Sequence, residues 1–254
     1  MTPITAVTFD LWQTLLLDNR ETGHARTQGR LKGASDALLK LGESYSLAQL
    51  QGAYQAGNEQ CHRIRADHRD VSFREQVRIF VEEISPGLSQ RLPEELFQEI
   101  ATAYADSFLV HPARPHPDAV ELLRGVRDLG LRIGLISNTG MTPGVTFRRF
   151  LEQHGMLKFF DILTFSDEVR VSKPASAIFE MTLRQLGALP EGSVHVGDHV
   201  INDVVGAKRC GLKTIWIEGF YQREDPSDPL TQPDVAVAEL SQVLPAIRRL
   251  AGAG

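Results

Sequence analysis

Short apolar runs rich in β-branched residues alternate along the chain with longer segments of helical periodicity. The apolar runs fall at 4–9, 131–136, 162–165, 194–196 and 213–217. Because they do not alternate strictly with polar residues, they predict strands that are buried on both faces, as in a parallel sheet covered by helices. Three helices are predicted between the later runs, at 119–129, 177–186 and 204–209, and Gly130 and Gly211 are typical helix stops. This order predicts an α/β fold with a doubly wound, Rossmann-like parallel sheet.

The stretch 15–112 interrupts that alternation, because its apolar positions recur at helical spacing and no convincing strand is visible. Ser72 with Glu75 predicts a capping box at the start of one helix, and Ser46 with Gln49 predicts another near residue 47. We interpret the aromatic stripes of this stretch as packing between helices. The sequence therefore predicts an all-helical cap over 15–112, inserted into a core domain formed by 1–14 and 113–254.

Composition narrows the class of protein. The chain has 254 residues with 27 Lys plus Arg against 32 Asp plus Glu, a formal charge of −5. This balance argues against nucleic acid or an anionic membrane as a partner, and we expect a small-molecule substrate. There is no run of eighteen apolar residues and no basic leader, and the two cysteines have no CxxC spacing. We therefore expect a cytoplasmic protein, either a monomer or a homodimer.

Residues with catalytic chemistry fall at or just beyond the ends of the predicted strands, where open α/β sheets place their sites. Taken singly, each has an ordinary structural interpretation as a turn former, a helix cap or a solvated charge. Their coincidence at one edge of the sheet is what indicates a site. They are Asp10 and Thr14 in FDLWQT, Ser137 and Asn138 in LISNT, Lys173 in VSKP, and Asp198 and Asp203 in VGDHVIND.

Three carboxylates that converge in this way repel one another unless a cation compensates them. Lys173 supplies one positive charge, and an all-oxygen ligand set favours a hard divalent ion, so Mg²⁺ is the expected metal.

These four segments together resemble the motifs of the haloacid dehalogenase superfamily, in the branch whose helical cap follows the first core strand. The resemblance covers residues 1–14 and about 113–220 of the chain, including DVVGAKRCGLKTIWI, whereas the cap matches only in position and helical character. It implies that Asp10 is a nucleophile that forms a covalent aspartyl intermediate.

The resemblance also implies roles for the remaining motif residues. Mg²⁺ would be held by Asp10 and Asp198 and by the backbone carbonyl of residue 12, with Asp203 orienting the metal's water or the lysine. Ser137 and the backbone amide of Asn138 would bind phosphoryl oxygens, Lys173 would neutralise the transferring group, and Thr14 would brace the loop.

One position departs from the phosphatase pattern. Members of the family that hydrolyse phosphate esters carry an acid two residues after the nucleophile, and here that position is Trp12. An indole cannot supply general acid–base catalysis, which is typically worth about 10²–10⁴ in rate. Trp12 either packs against the cap or stacks on substrate. His199, His24 and Glu21 are the candidates to replace the missing acid.

Three functions follow from this pattern. The preferred one is a Mg²⁺-dependent phosphatase of a small phosphorylated metabolite. The second is a metal-independent 2-haloacid dehalogenase, which also has an aromatic residue at this position and uses an arginine, for which Arg20, Arg26 and Arg30 are available. The third is a catalytically weak binding protein. The acidic pair Asp198 and Asp203 favours the first over the second.

Overall fold

A six-stranded parallel sheet forms the centre of the protein in the computed structural model, which describes residues 2–219 and 227–252. The strands in chain order are β1 Ala6–Phe9, β2 Leu16–Leu17, β3 Arg114–Pro115, β4 Arg132–Ser137, β5 Ile162–Phe165, β6 Ser193–Gly197, β7 Lys213–Ile217 and β8 Val235–Val237. The sheet has the order β5-β4-β1-β6-β7-β8, and every neighbouring pair is parallel. The α/β prediction is therefore confirmed.

The described residues also form eleven α-helices, some of which cover the two faces of this sheet. They are α1 Arg20–Lys40, α2 Leu47–Ala66, α3 Phe73–Ile84, α4 Leu88–Arg91, α5 Glu94–Val110, α6 Ala119–Asp128, α7 Gly144–Gln153, α8 Ser166–Val169, α9 Ser176–Leu186, α10 Gly206–Arg209 and α11 Val243–Leu250. On one face, buried side chains of α6, α7 and α11 pack against β1 and β4 in one apolar cluster. On the other face, α9 and α10 pack against Ala6 and Ile136 in a separate cluster. The sheet is doubly wound because α6 and α7 lie on one face, in the connections that lead to β4 and β5, whereas α9 and α10 lie on the other face, in the connections that lead to β6 and β7.

The helices between β2 and β3 have an apolar cluster of their own. Leu31, Val77, Phe80, Ile100 and Tyr104 are among its buried members. Both predicted capping boxes are formed, since the Ser46 and Ser72 side chains accept from the backbone three residues on. The aromatic side chains of this stretch therefore pack between helices, as expected.

Three short strands, β2, β3 and β8, were not predicted. The two-residue strand β2 pairs antiparallel with β3, so the expectation of no strand in 15–112 is wrong at its first residues. A ladder this short leaves no periodic pattern in the sequence. The edge strand β8 was also missed. The helix expected at 204–209 is preceded by a turn of π-helix, Val200–Val205, which runs directly into α10.

No helix in the described part of the chain is both long and apolar enough to cross a lipid bilayer.

Candidate active site

The carboxyl ends of three adjacent strands bring the predicted residues together. Asp10 follows β1, Asn138 follows β4 and Asp198 follows β6, and these strands are neighbours in the order β4-β1-β6. Because parallel strands end at the same edge of a sheet, residues separated by nearly two hundred positions meet there. Lys173 reaches the same edge from the loop between α8 and α9.

A buried lysine links two of the carboxylates. Nζ of Lys173 lies 2.5 Å from Oδ1 of Asp10 and 2.7 Å from Oδ1 of Asp203. The Lys173 side chain is 2% exposed, so these are ion pairs shielded from water. Carboxylate oxygens of Asp10, Asp198 and Asp203 all lie within 4.8 Å of one another.

Asp203 is held by a complete set of donors. Its Oδ1 accepts from Lys173 and from Nε2 of His195 at 3.1 Å, and its Oδ2 accepts from the backbone N–H of His199 at 2.9 Å. Nδ1 of His195 lies 2.8 Å from the hydroxyl of Thr8. Since the carboxylate takes a proton donor at Nε2, Nδ1 is assigned as the acceptor from Thr8. Asp203 is thereby fixed in orientation beneath Lys173.

His195 is a residue of this network that the sequence analysis missed. It lies within β6, where it is 1% exposed. Burial lowers its pKa, against the opposing influence of Asp203, so the ring is neutral at pH 7. Its only signal in the sequence is a polar side chain inside a buried strand, three residues before Asp198.

The three carboxyl groups of the site differ in the direction in which their pKa values are shifted. Burial raises the pKa of Asp10 to about 6, with Lys173 opposing the change. Burial and the charges of Asp10 and Asp203 raise the pKa of Asp198 to about 8. Burial by itself also raises the pKa of Asp203, but Lys173 and His195 outweigh it and hold that pKa well below its ordinary value. The pKa of Lys173 lies above its ordinary value, because the two carboxylates outweigh the effect of burial.

The backbone around the site depends on residues without a Cβ. A Cβ on Gly197 would lie 2.3 Å from Cγ of Asp203, so only glycine lets the aspartate lie against the end of β6. A Cβ on Gly206 would lie 3.0 Å from Cα of Pro174, which brings the loop carrying Lys173 close to α10. The Nε1–H of Trp216 donates to the backbone oxygen of Asp198 at 2.7 Å and secures the turn that follows β6.

Asn138 and Lys173 are tied together by reciprocal hydrogen bonds. The Asn138 side chain donates to the Lys173 carbonyl at 3.0 Å and accepts from the Lys173 backbone N–H at 2.8 Å. Asn138 and Thr139 line the cavity at the strand ends. Ser137, in contrast, is the buried last residue of β4 and is not among the residues that line this cavity.

Thr14 does not join the cluster either. It is 1% exposed and lines a separate cavity with Leu17 and His116. Its hydroxyl has no hydrogen-bond partner among the described residues. The loop after β1 is closed instead by backbone bonds from the N–H groups of Leu15 and Leu16 to the carbonyl of Leu11.

Trp12 packs between α5 and α7. Its ring lies edge-on to Phe108 at 5.8 Å and to Phe147 at 5.4 Å between centroids. The Arg26 guanidinium lies 5.7 Å from the same indole. Of the two roles considered for Trp12, these contacts favour packing, although the residue still lines the cavity.

A cavity of about 400 Å³ lies over the cluster. The core contributes the six predicted residues Asp10, Trp12, Asn138, Lys173, Asp198 and Asp203. The helical stretch also lines the cavity, with Gly23, Arg26, Thr27, Arg30 and Tyr54.

Among the candidate replacement acids, His199 lines this cavity, whereas Glu21 and His24 are exposed and are not among its lining residues. Arg26 and Arg30 line the cavity, whereas the third candidate arginine, Arg20, is exposed and is not among those residues.

The donor set suits a hard divalent cation. All three grouped side chains offer oxygen, the preferred ligand of Mg²⁺. Oδ2 of Asp198 is buried and has no hydrogen-bond partner among the described residues. A buried carboxylate oxygen without a donor is costly, and a cation beside it would remove that cost. Asp10 and Asp198 are therefore suited to hold Mg²⁺.

The family of this chain follows from comparison with known proteins. A model of the family "haloacid dehalogenase-like hydrolase" matches residues 4–211. The chain belongs to this family. The superfamily expected from the four motifs is thus confirmed, and the protein is a hydrolase of the haloacid dehalogenase type.

Relatives of this haloacid dehalogenase-like hydrolase include named phosphatases. The glyceraldehyde 3-phosphate phosphatase of Methanopyrus kandleri is 31% identical over 62% of this chain and 66% of its own length. The ribulose-1,5-bisphosphate 5-phosphatase of Halopiger xanaduensis is 27% identical over 92% of both chains. Several other curated relatives are matched over only about half of their own length.

Solved structures show the same fold. The 2-haloacid dehalogenase of Pseudomonas syringae pv. Tomato DC3000 superposes with a TM-score of 0.70 and 20% identity over 97% of this chain and 98% of that one. At this identity the likeness concerns the fold and does not decide between attack on phosphorus and attack on carbon.

Proposed function

We propose that this protein is a Mg²⁺-dependent phosphatase that acts on a small phosphorylated metabolite through an aspartyl-phosphate at Asp10. The observation that carries the proposal is the arrangement of Asp10, Asp198 and Lys173. A buried nucleophile lies in an ion pair, beside a second carboxylate whose Oδ2 has no donor among the described residues. The phosphatase relatives support the same chemistry.

The first step is an in-line displacement at phosphorus. The carboxylate of Asp10, whose pKa of about 6 leaves it largely ionised at pH 7, attacks the phosphoryl group. A bond forms between its oxygen and phosphorus, and the bond from phosphorus to the ester oxygen breaks. Water then attacks the acyl phosphate, which releases inorganic phosphate and returns Asp10 as a carboxylate. When bound by Asp10 and Asp198, Mg²⁺ supplies positive charge that offsets repulsion between carboxylate and phosphate.

Lys173 and Asn138 prepare this step. The ammonium of Lys173 stabilises negative charge on Asp10 and on the transferring oxygens. The Asn138 side chain forms two hydrogen bonds with the Lys173 backbone. These bonds position the lysine without using the N–H groups of its ammonium. Asp203 binds the Lys173 ammonium and is itself held by His195, and this keeps Lys173 directed at the nucleophile.

The helical stretch 15–112 forms the cap over this centre in our proposal, with 1–14 and 113–254 as the core domain. It contacts the core next to the site through one buried and one exposed hydrogen bond. The Asp70 side chain accepts from the Ser166 hydroxyl at 2.5 Å and from Arg65 Nε at 2.8 Å, and Arg65 donates to the Gly140 carbonyl at 2.8 Å. A closed cap excludes water from the nucleophile and selects the substrate.

Trp12 restricts the leaving groups. Because its indole is packed against Phe108 and Phe147 and cannot donate a proton to the departing oxygen, esters with acidic alcohols should react faster than alkyl esters. The fast substrates are then those, such as aryl phosphates, whose departing aryloxide needs no proton.

A parallel assay of 4-nitrophenyl phosphate and 2-chloropropionate tests the function. We expect phosphate release with Mg²⁺, its loss with a chelator, and no halide release. Halide release at the same rate with Mg²⁺ and with the chelator would instead establish the dehalogenase reaction. Absence of both products, with ligand binding unaffected by Asp10→Asn, would indicate a binding protein.

Stability should respond to Mg²⁺ in a pH-dependent manner. The folded-state pKa values of Asp10 and Asp198, about 6 and about 8, lie above the ordinary value of 3.8. The folded protein therefore holds these protons more tightly than the unfolded chain, and metal-free stability falls as pH rises from about 4 to about 8. Mg²⁺ offsets the charge that causes this loss. We expect the rise in Tm on adding Mg²⁺ to be small at pH 5 and largest at pH 8.

The matched control for this measurement is Asp198→Asn. This variant keeps the shape of the side chain but removes the titrating group, so its metal-free Tm should depend less on pH between 6 and 8. A Mg²⁺ effect on Tm that is the same at every pH, or the same in Asp198→Asn, would contradict the assignment of these carboxyl groups as ligands.

A further inference from the structure

A buried arginine of α1 faces the cavity with a charge that no carboxylate compensates. Arg30 is 4% exposed and lines the cavity with Asp10 and Lys173. Among the ion pairs formed by the described residues, none includes Arg30. Its guanidinium donates at 2.8–3.3 Å to four neutral acceptors, the carbonyls of Tyr104 and Met141 and the hydroxyls of Tyr54 and Thr142.

Arg26 provides an internal comparison. It lies one helical turn before Arg30, is 5% exposed and lines the same cavity. Its guanidinium forms an ion pair with the carboxylate of Asp18 and also donates to the carbonyl of His111 at 3.2 Å. Two arginines of one helix face are therefore equally buried, but only Arg26 is neutralised by the protein.

Neutral acceptors satisfy N–H groups without cancelling the charge. A buried cation that lacks an anion is costly, and proteins rarely retain one without a counter-charge. Arg30 also lies 4.7 Å from the ring of Tyr104, which adds only a weak attraction. An anionic group of a bound ligand is the counter-charge that the cavity lacks.

Arg30 lies outside the hydrogen-bond network of the reacting residues. Its hydrogen bonds go to α2, α5 and the 141–142 loop, and none goes to Asp10, Lys173, Asp198 or Asp203. A ligand whose phosphoryl group lies at Asp10 would therefore direct its other end toward Arg30. Thr27 and Tyr54 add hydroxyl groups to that wall.

We propose that Arg30 is a specificity-determining residue that binds a second anionic group of the substrate, either a carboxylate or a second phosphate. This inference rests on the proposed phosphatase function. It assigns the substrate class as small phosphate monoesters that carry a negative charge at the end remote from the transferred phosphoryl group. Protein acceptors use four of the five N–H groups of Arg30, so the remaining N–H on Nη1 and the uncompensated positive charge would bind either kind of anion.

Three esters with the same three-carbon skeleton test the inference. 3-Phosphoglycerate carries a remote carboxylate, glycerol 1,3-bisphosphate a remote phosphate, and glycerol 3-phosphate a neutral hydroxymethyl group. All three have alkyl leaving groups, so the absence of a general acid affects them alike. Because a hydrogen bond to a charged group is strong, we expect kcat/KM for one or both anionic esters to exceed that for glycerol 3-phosphate by roughly 10- to 100-fold, mainly through KM.

The variants are Arg30→Gln, Arg30→Lys and, as the matched control, Arg26→Gln. Arg30→Gln should bring the ratio of anionic to neutral ester close to one, and Arg30→Lys should retain part of the preference. Arg26→Gln also removes a buried arginine from α1 but should leave the ratio unchanged. If Arg30→Gln does not fold, the wild-type ratios and Arg30→Lys still decide the question.

Binding separates failure of this inference from failure of the phosphatase proposal. Calorimetric titration of the three esters into Asp10→Asn with Mg²⁺ measures affinity without turnover. Tighter binding of an anionic ester, lost in the double variant with Arg30→Gln, supports the anion site even if no ester is hydrolysed. Equal binding and equal kcat/KM for all three esters, or an Arg30→Gln effect of the same size on all of them, would overturn it.

Discussion

Replacement of Asp10 by Asn is expected to reduce phosphate release by roughly 10⁴- to 10⁶-fold, the scale seen when a covalent nucleophile is removed. The amide has nearly the same shape as the carboxylate but cannot form an acyl phosphate. Lys173 would lose one of its two ion pairs and keep the pair with Asp203 at 2.7 Å. Steady-state kcat measures the effect on turnover. Acid-quench trapping with a labelled phosphate ester should give phosphorylated wild-type protein but no phosphorylated Asp10→Asn protein.

Asp167→Asn is the matched control for Asp10→Asn. Burial also raises the pKa of Asp167 to about 6, and its carboxylate accepts from the backbone N–H of Gly144 at 3.3 Å. Asp167 is not among the residues that line the cavity, so its variant should retain most of the turnover. Comparable losses in both variants would mean that a perturbed buried carboxyl group, rather than a nucleophile at position 10, underlies the effect. Full turnover in Asp10→Asn would exclude the covalent route.

Replacement of Lys173 by Met is expected to cost about 3–5 kcal/mol in free energy of unfolding, because it leaves buried carboxylates without their cation. Lys173, Asp10 and Asp203 side chains are each less than a tenth exposed, so water cannot compensate the loss. Turnover should fall by about 10²–10³, the range for loss of one electrostatic donor at a reacting centre. Chemical denaturation in the presence of a chelator measures the stability change, and added Mg²⁺ should restore part of it.

Lys40→Met is the corresponding control. Lys40 pairs with Glu99 at 2.6 Å, but both side chains are about half exposed, and exposed pairs contribute only about 0.2–1 kcal/mol. It should therefore have a small effect on stability and none on turnover. If Lys173→Met lowers the free energy of unfolding no more than Lys40→Met does, the buried ion pairs do not compensate the charge of the acidic cluster.

Much of the site was predictable because parallel strands place their carboxyl ends at one edge. Asp10, Asn138, Lys173 and Asp198 follow from short motifs beside apolar runs, and the structure brings them to one cavity. Ser137 and Thr14 belong to the same motifs but do not line it. A motif places a residue near the end of a given strand. Because successive side chains of a strand point in opposite directions, a shift of one position decides whether the side chain faces the cavity or the core.

His195 was missed for a related reason. A histidine inside an apolar strand is usually a satisfied core residue, and sequence alone does not indicate that its ring reaches a carboxylate eight positions later. The bond to Asp203 depends on the turn after β6, where Gly197 permits the close approach.

The amino-acid sequence alone determined the α/β class and the family, since these depend on periodicity and on short local motifs. Only the tertiary structure decided which charges are compensated. Arg26 and Arg30 are the same residue type, one helical turn apart. Asp18 forms an ion pair with Arg26, whereas no carboxylate among the described residues forms one with Arg30. Charge compensation depends on distances of a few ångströms between segments far apart in the chain, and no local pattern encodes them.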